Sequence, residues 1–263
     1  MTKERLLLLG LLATLLFINP TYGADTTEKT FNKQCKTERI SFLKSTPEGL
    51  QQKQKEAILK AINGDNTSLQ EVRNSRNIKA EVSENVIVEN ISETIRLYRP
   101  KTSDAALPIL IYLHGGGWTI GSINSCSEYC NAVASTGKVI VLAIDYRLAP
   151  EFPFPYAIDD CVNAYIFAID NAKSWGGDPK KTALQIKRDK LPKVNSLILF
   201  YPVVKGYEDN SKSWKKYGEG YGLNSDIMIA FNDAYTLKRN IAYDPLISIY
   251  NAGDNELKEL PKI

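Results

Sequence analysis

An apolar run that stops abruptly in glycine constrains this chain more than any other stretch. Pro108–Leu113 reads PILIYL, apolar on both alternating faces, as a strand buried in the middle of a parallel sheet must be. It ends in His114, the consecutive glycines Gly115, Gly116 and Gly117, and then Trp118. Glycine takes backbone angles that other residues avoid and lets the chain approach a ligand closely. Backbone N–H groups held in such a turn can face an oxyanion, the charge that develops when an ester carbonyl is attacked. The bland alternative is a glycine-rich strand-to-helix turn of no chemical interest.

The rest of the chain supplies what such a strand needs around it. Leu50, Ala57, Ile58, Ala61 and Ile62 form one helical stripe, opened by Thr46-Pro47-Glu48 and ended by Gly64. Val82–Glu89 and Ile91–Tyr98 alternate as two strands joined by a turn near Asn90. Ile123–Ser135 reads as a helix and Lys138–Tyr146 as a second continuous apolar strand. Ala157–Ala172 carries Ile158, Cys161, Val162, Tyr165, Ala168 and Ile169 on one helical face, and Trp175-Gly176-Gly177-Asp178-Pro179 stops it. Ser196–Val204, SLILFYPVV, reads as a third apolar strand. Strands of this kind alternating with helices predict an α/β fold, a mostly parallel sheet with helices on both faces.

Composition adds bounds. The chain has 263 residues, and its net charge of +3 is not gathered into a basic arm, so nothing recommends nucleic acid as a partner. The first residues read as an export signal. Lys3, Glu4 and Arg5 form a charged start, Leu6–Ile18 is apolar, Asn19-Pro20 breaks the run, and Thr21 and Gly23 suit a signal peptidase. The apolar run is shorter than the ~20 residues a spanning helix needs, so no stable membrane span is expected. The division is then a signal over residues 1–23, an N-terminal helical segment over 24–75 and an α/β domain over 76–263. Export permits disulfides among Cys35, Cys126, Cys130 and Cys161, and Cys126 and Cys130 are one helical turn apart. Buried thiols or one disulfide are expected of these four. Their spacing does not suit zinc, with a single histidine in the chain. Neither a metal nor a cofactor is expected.

Several motifs together resemble a known family. His114–Trp118 (HGGGW) is followed by Asp145–Glu151 (DYRLAPE), Phe152–Pro155 (FPFP), Trp175–Pro179 (WGGDP), Leu197–Val203 (LILFYPV), Glu219–Leu223 (EGYGL) and Asp244–Leu246 (DPL). In this order they are similar to the hormone-sensitive-lipase-like esterases, α/β hydrolases that act on carboxylic esters. The likeness runs from roughly Leu50 to Pro261, with Phe152 where the family usually has histidine. It implies a helical cap over a pocket for a small-molecule ester or acyl ligand. It also implies an oxyanion hole built on the N–H groups of Gly115 and Gly116, with His114, Gly117 and Trp118 completing the motif.

The chemistry of such an enzyme needs a serine on a strand-to-helix elbow, a histidine base and an acid, in that family in the chain order Ser, Asp, His. None of the 16 glycines is followed two residues later by serine, so there is no G-x-S-x-G. Thr182–Asp189 reads as the helix that should follow the elbow, running straight on from Lys180-Lys181. This predicts an incomplete sheet without its nucleophile strand or its C-terminal strands. The gap would lie between Ile109–Leu113 and Ser196–Val204, leaving those two to pair directly or the site loosely packed. His114 is the only histidine and belongs to the loop. Asp244 sits too early to be the acid. The Ser-x-x-Lys spacings Ser41–Lys44, Ser135–Lys138 and Ser213–Lys216 are chance matches, and Cys161 lies on an apolar stripe. Arg147 and Glu151 read as internally paired scaffold, and Tyr201, Trp214 and Tyr221 as packing aromatics. No catalytic residue set is intact. Three readings follow: an esterase by ancestry, a binding module for an acyl or carbonyl ligand, or a defective gene product. On the signal reading, N-terminal sequencing of the exported protein returns Ala24 or Asp25; recovery of Met1 or Thr2 would refute it.

Overall fold

Edge hydrogen bonds, more than hydrophobic pattern, decide how the strands of this chain are ordered. The structure, a computed structural model, describes residues 49–78, 80–183, 198–199, 202–206, 211–239, 241 and 243–254. The signal over 1–23, the helix start at Thr46-Pro47-Glu48, Cys35, Ser41–Lys44 and Tyr201 lie outside them. Among the described residues five strands form one sheet in the order β1-β2-β4-β3-β5. They are β1 (Val86–Asn90), β2 (Ile95–Pro100), β3 (Leu107–Leu113), β4 (Ile140–Ile144) and β5 (Gly177–Ala183).

All five residues of β4 are buried, which fits its place in the middle of the sheet. It pairs parallel with β3, Ile109 opposite Ile140 through Leu113 opposite Ile144, and antiparallel with β2. β1 adds to β2 as an antiparallel hairpin. The sheet is therefore mixed rather than mostly parallel, because the two N-terminal strands run as a hairpin before the first crossover. Its turn lies at Ile91–Thr94 rather than Asn90, closed by Ile91 N–H donating to the Ile95 carbonyl at 2.9 Å.

The strand expected to be missing is present. Gly177–Ala183 lies parallel along the outer edge of β3, Leu107 opposite Gly177 and Ile109 opposite Thr182, with an irregular register between. Thr182 and Ala183 are thus strand, not the start of a helix. The physical reason is that the free N–H and C=O groups of β3 need partners, and main-chain pairing is indifferent to side-chain hydropathy. A polar segment such as GDPKKTA can supply them without any apolar alternation to announce it. Gly177 makes the approach possible, since a Cβ there would lie 2.7 Å from Ile109 Cδ1. Asp178 shapes the irregular stretch by accepting the Lys180 N–H at 2.9 Å. Within Ser196–Val204 the described residues 198–199 and 202–204 are not strand, and Ile198, Leu199 and Val204 are exposed. The partner of β3 is β5, so that stretch does not take its place.

Helices cover both faces. α1 (Leu50–Ile62) and α2 (Thr67–Ser75) pack on each other and form the described part of the N-terminal helical segment. α3 (Ser127–Ser135) starts later than its pattern suggests, because residues 122–125 fold into a turn in which Ser125 Oγ donates to the Ser122 carbonyl at 2.7 Å. α4 (Tyr156–Asn171) continues into a short 3-10 turn, Ala172–Trp175. α5 (Lys212–Tyr217) and α6 (Ser225–Thr236) follow. α6 is tied to α1 by Lys55 Nζ to Asp226 Oδ2 at 2.9 Å and by Asn224 N–H donating to Gln51 Oε1 at 2.7 Å.

The pleat sorts the core into two layers. Leu97 joins a large cluster with Ile58, Ile109, Leu142, Tyr165, Ala168 and Phe231. Its neighbour Tyr98 joins a smaller one on the opposite face, with Cys126, Cys130, Ala134, Val141 and Ala143. Among the described residues no helix is long and apolar enough to cross a membrane. Leu97 is fully buried, whereas Val82 precedes β1 and is exposed. Leu97→Ala should therefore lose about 2–5 kcal/mol of stability in a urea titration. Val82→Ala should stay within about 0.5 kcal/mol of the parent.

Candidate functional site

The carboxyl ends of adjacent parallel strands are where α/β sheets bind ligands. Here the end of β3 delivers His114 and the glycines, and the end of β4 delivers Asp145, Tyr146 and Arg147. The pairing of β3 with β4 brings the two loops together. Tyr146 stacks on His114 with ring centroids 4.3 Å apart and planes 11° from parallel, and its hydroxyl donates to the His114 carbonyl at 2.6 Å. Burial pushes the Tyr146 phenol well above its ordinary pKa. The hydroxyl therefore remains a donor.

His114 is held from every side. It is 4% exposed. Its Nδ1 lies 3.0 Å from the Gly115 carbonyl oxygen, which only accepts, so Nδ1 carries the hydrogen of that bond. Its Nε2 makes no hydrogen bond and faces Asp145 Oδ1 at 3.5 Å. Gly121 closes the remaining side, and a Cβ there would collide with His114 Nδ1.

The glycine loop itself is a tight turn. Thr119 and Ile120 both donate their N–H groups to the Gly116 carbonyl, at 3.1 and 3.0 Å. Gly116 has φ 131°, and a Cβ there would run into the Ile120 carbonyl oxygen. Among the described residues no hydrogen bond uses the N–H of Gly115 or Gly116, and Gly115 is exposed. The loop thus offers donors that the protein does not consume. α6 covers its other side. Phe231 stands over Gly117, and Trp118 stacks on Tyr235 at 4.4 Å and 8°.

Arg73 on α2 clamps this arrangement. Its Nε donates to the Thr119 carbonyl at 2.9 Å, one terminal nitrogen donates to the Ala149 carbonyl at 2.9 Å, and both terminal nitrogens reach Glu151, at 2.6 and 2.8 Å. Arg147 is held by Asp160 in a bidentate pair, with its guanidinium 4.4 Å above the Tyr156 ring. The scaffold reading of Arg147 and Glu151 thus has its partners. Arg73, Phe231 and Tyr235 were not foreseen, and no motif marks them. Their partners lie far off in sequence and are met only when α2 and α6 dock.

The remaining candidates sit elsewhere. Burial pushes the Cys161 thiol up to about 12, so it stays protonated and unreactive. Ser135 Oγ donates to the Ala132 carbonyl and Ser213 Oγ pairs with Ser211, neither beside the loop. Tyr221 packs edge-on against Tyr217, and Trp214 lies on α5. Asp244 accepts from the Leu246 N–H in a turn. A surface groove of about 560 Å³ runs between α1 and α2, past Gln54, Ala57, Val72 and Arg76, and includes no glycine-loop residue.

A mixed sheet in this order, with a glycine turn after β3 and α4 crossing from β4 to β5, defines an α/β-hydrolase scaffold. The chain belongs to that family: residues 110–263 match the family model described as alpha/beta hydrolase fold. It is 30% identical over 241 residues to an arylesterase of Saccharolobus solfataricus, covering 85% of this chain and 73% of that protein. It is 31% identical over 200 residues to Lipase 2 of a Moraxella species, covering 60% of this chain and 45% of that protein. The chain thus spans about half the length of the lipase and nearly three quarters of the arylesterase. A solved structure of an ester hydrolase from the Lake Arreo metagenome, complexed with a bipyridine phosphonate derivative, is similar with a TM-score of 0.59 and 30% identity. That match covers 74% of this chain and 68% of that one. An esterase-type α/β hydrolase is the class these findings support.

Desolvation pushes the Glu151 carboxyl up, but the Arg73 hydrogen bonds, a backbone hydrogen bond and the Arg73 charge together outweigh it and hold the group below its usual range. A folded pKa that is lowered gives stability present above the unfolded value and lost as pH falls through the folded one. Arg73→Ala should therefore cost about 2–4 kcal/mol near neutral pH. The difference from the parent should narrow in chemical unfolding at acid pH without vanishing, because the bonds to Thr119 and Ala149 do not titrate.

Proposed function

We propose that this 263-residue chain is an exported, esterase-type hydrolase scaffold that receives an ester or acyl carbonyl at its glycine loop but does not turn it over. Export rests on the signal-like first 23 residues, which precede the described fold. The ligand class rests on the two unconsumed donors at Gly115 and Gly116 and on the esterases to which the chain is similar.

The observation that carries the absence of turnover is the state of His114. It is the only histidine, and it is enclosed by Tyr146, Gly115, Gly121 and Asp145. An imidazole in that position orients the loop, and its one unbonded nitrogen, Nε2, is buried and faces Asp145 Oδ1 rather than a serine or cysteine. The nucleophile has no candidate either. β5 leads into residues 184–195, LQIKRDKLPKVN, without a serine or cysteine. One donor of the usual oxyanion hole comes from the residue after the nucleophile. Losing a single donor costs about 10²–10³ in rate. The binding-module reading is therefore preferred to the esterase by ancestry.

Hydrolysis of nitrophenyl butyrate by the purified chain should stay at the background rate. Ethyl butyrate should shift the tryptophan emission saturably, and Gly116→Val, which deforms the loop, should abolish the shift. Saturable hydrolysis lost in the same variant would overturn the absence of turnover. No emission shift in a folded parent chain would overturn the binding reading.

A further inference from the structure

The smaller core layer holds a pair of thiols that the glycine loop does not use. Cys126 is the N-cap of α3 and Cys130 lies one turn on; both are free thiols and both are buried, at 7 and 0% exposure. The Cys130 thiol donates to Cys126 Sγ, with the sulfurs 3.8 Å apart. We propose that Cys126 and Cys130 form a site of thiol–disulfide exchange, closing to an intrahelical disulfide on meeting a low-molecular-weight disulfide.

Helix geometry decides whether the bridge can close. Four residues of rise span about 6 Å along an α-helix, inside the Cα separation that disulfides span. Cβ atoms at that spacing on a regular helix are about 5–6 Å apart, too far for a bridge, which needs roughly 4 Å. A pair in mid-helix would therefore resist oxidation. Cys126 is not in mid-helix. Its φ of −107° and ψ of 2° place it outside the regular turn, and the next donor, Ser127 N–H, reaches back to the Asn124 carbonyl at 3.2 Å. The Cys126 carbonyl accepts the Cys130 N–H at 3.0 Å, as an N-cap carbonyl does, so closure requires the Cys126 Cβ to turn toward Cys130 about that bond, ahead of the first regular turn.

The two sulfurs are not equivalent. The hydrogen bond from Cys130 holds the Cys126 thiol below its ordinary pKa against burial, with Arg96 helping and Asp145 opposing. Cys130 is shifted the other way, because it is the donor and is fully buried. Cys126 is also the more exposed of the two, so it attacks first. Its thiolate displaces one thiolate from the incoming disulfide and forms a mixed disulfide. Cys130 then loses its proton to solvent, attacks Cys126 Sγ and expels the second thiolate. Two protein thiols are oxidised and one external disulfide is reduced to two thiols.

Position gives the site a consequence. The segment from His114 to Cys126 is the glycine loop and its return, and it contains Gly121, whose backbone packs against His114. A bridge at Cys126 anchors the far end of that segment to α3. Cys161 belongs to the other core layer and cannot compete for either sulfur.

Mass spectrometry reads the outcome directly, because both cysteines fall on one tryptic peptide, Thr102–Lys138. The full chain, reduced and then incubated with oxidised glutathione, is unfolded, alkylated and digested. The expected peptide carries no alkyl groups and is lighter than the reduced peptide by two hydrogen atoms. Cys130→Ser should accumulate glutathione on Cys126, whereas Cys126→Ser should leave Cys130 unmodified. A parent peptide that still takes up two alkyl groups would overturn the proposal, as would Cys126 recovered in a bridge to Cys35 or Cys161. Because the parent chain supplies the deciding measurement, poor folding of either variant does not rescue it.

Discussion

The parallel pairing of β3 with β4 is the constraint on which the site depends. Five consecutive residue pairs, from Ile109 with Ile140 to Leu113 with Ile144, set the two strands in register. Their carboxyl ends then coincide, and His114 emerges beside Asp145 and Tyr146. A register slip of one residue would turn every side chain to the other face. It would also break the stack of Tyr146 on His114 and its hydrogen bond to the His114 carbonyl. Side-chain size opposes the slip, because Ile140, Leu142 and Ile144 of β4 fill the larger core layer and Val141 and Ala143 the smaller.

From that pairing the glycine loop inherits a rigid seat. Tyr146 supports it from beneath, Arg73 holds Thr119 from α2, and the aromatic residues Phe231 and Tyr235 pack on it from α6. Such a seat is what a preorganised oxyanion site requires, since donors help only where they need not move. His114 spends its ring on the stack with Tyr146 and on the Gly115 carbonyl, and the loop keeps the N–H groups of Gly115 and Gly116 unused among the described residues.

The strand β5 shows how an apparent gap in a sheet can be filled. β3 leaves a row of main-chain groups at its outer edge, and a polar segment lies along it because hydrogen bonding there asks nothing of the side chains except room. Room is what Gly177 provides against Ile109. The central part of the sheet is in this way continuous from β1 to β5, although the segment that completes it does not look like a strand.

Much of the architecture was legible in the residues alone. Ile140–Ile144 announces itself because a strand buried on both faces has no polar position to hide, Leu107–Leu113 because its run is equally apolar although only Ile109 and Ile111 are fully buried, and α4 shows its stripe because one face meets the core. The HGGGW motif was legible because only glycine tolerates the Gly116 turn. The absence of a second histidine and of a G-x-S elbow was likewise plain in the sequence. Tertiary structure alone decided the rest. The polar β5 became a strand through the demand of a neighbouring edge, and the hairpin turn moved to Ile91–Thr94 through cross-strand register. Arg73 joined Glu151 across 78 positions, and Phe231 and Tyr235 reached the loop from α6. Periodicity reports a residue's relation to its own helix or strand. Contacts made when separate elements dock leave no period, so no local pattern could have named them.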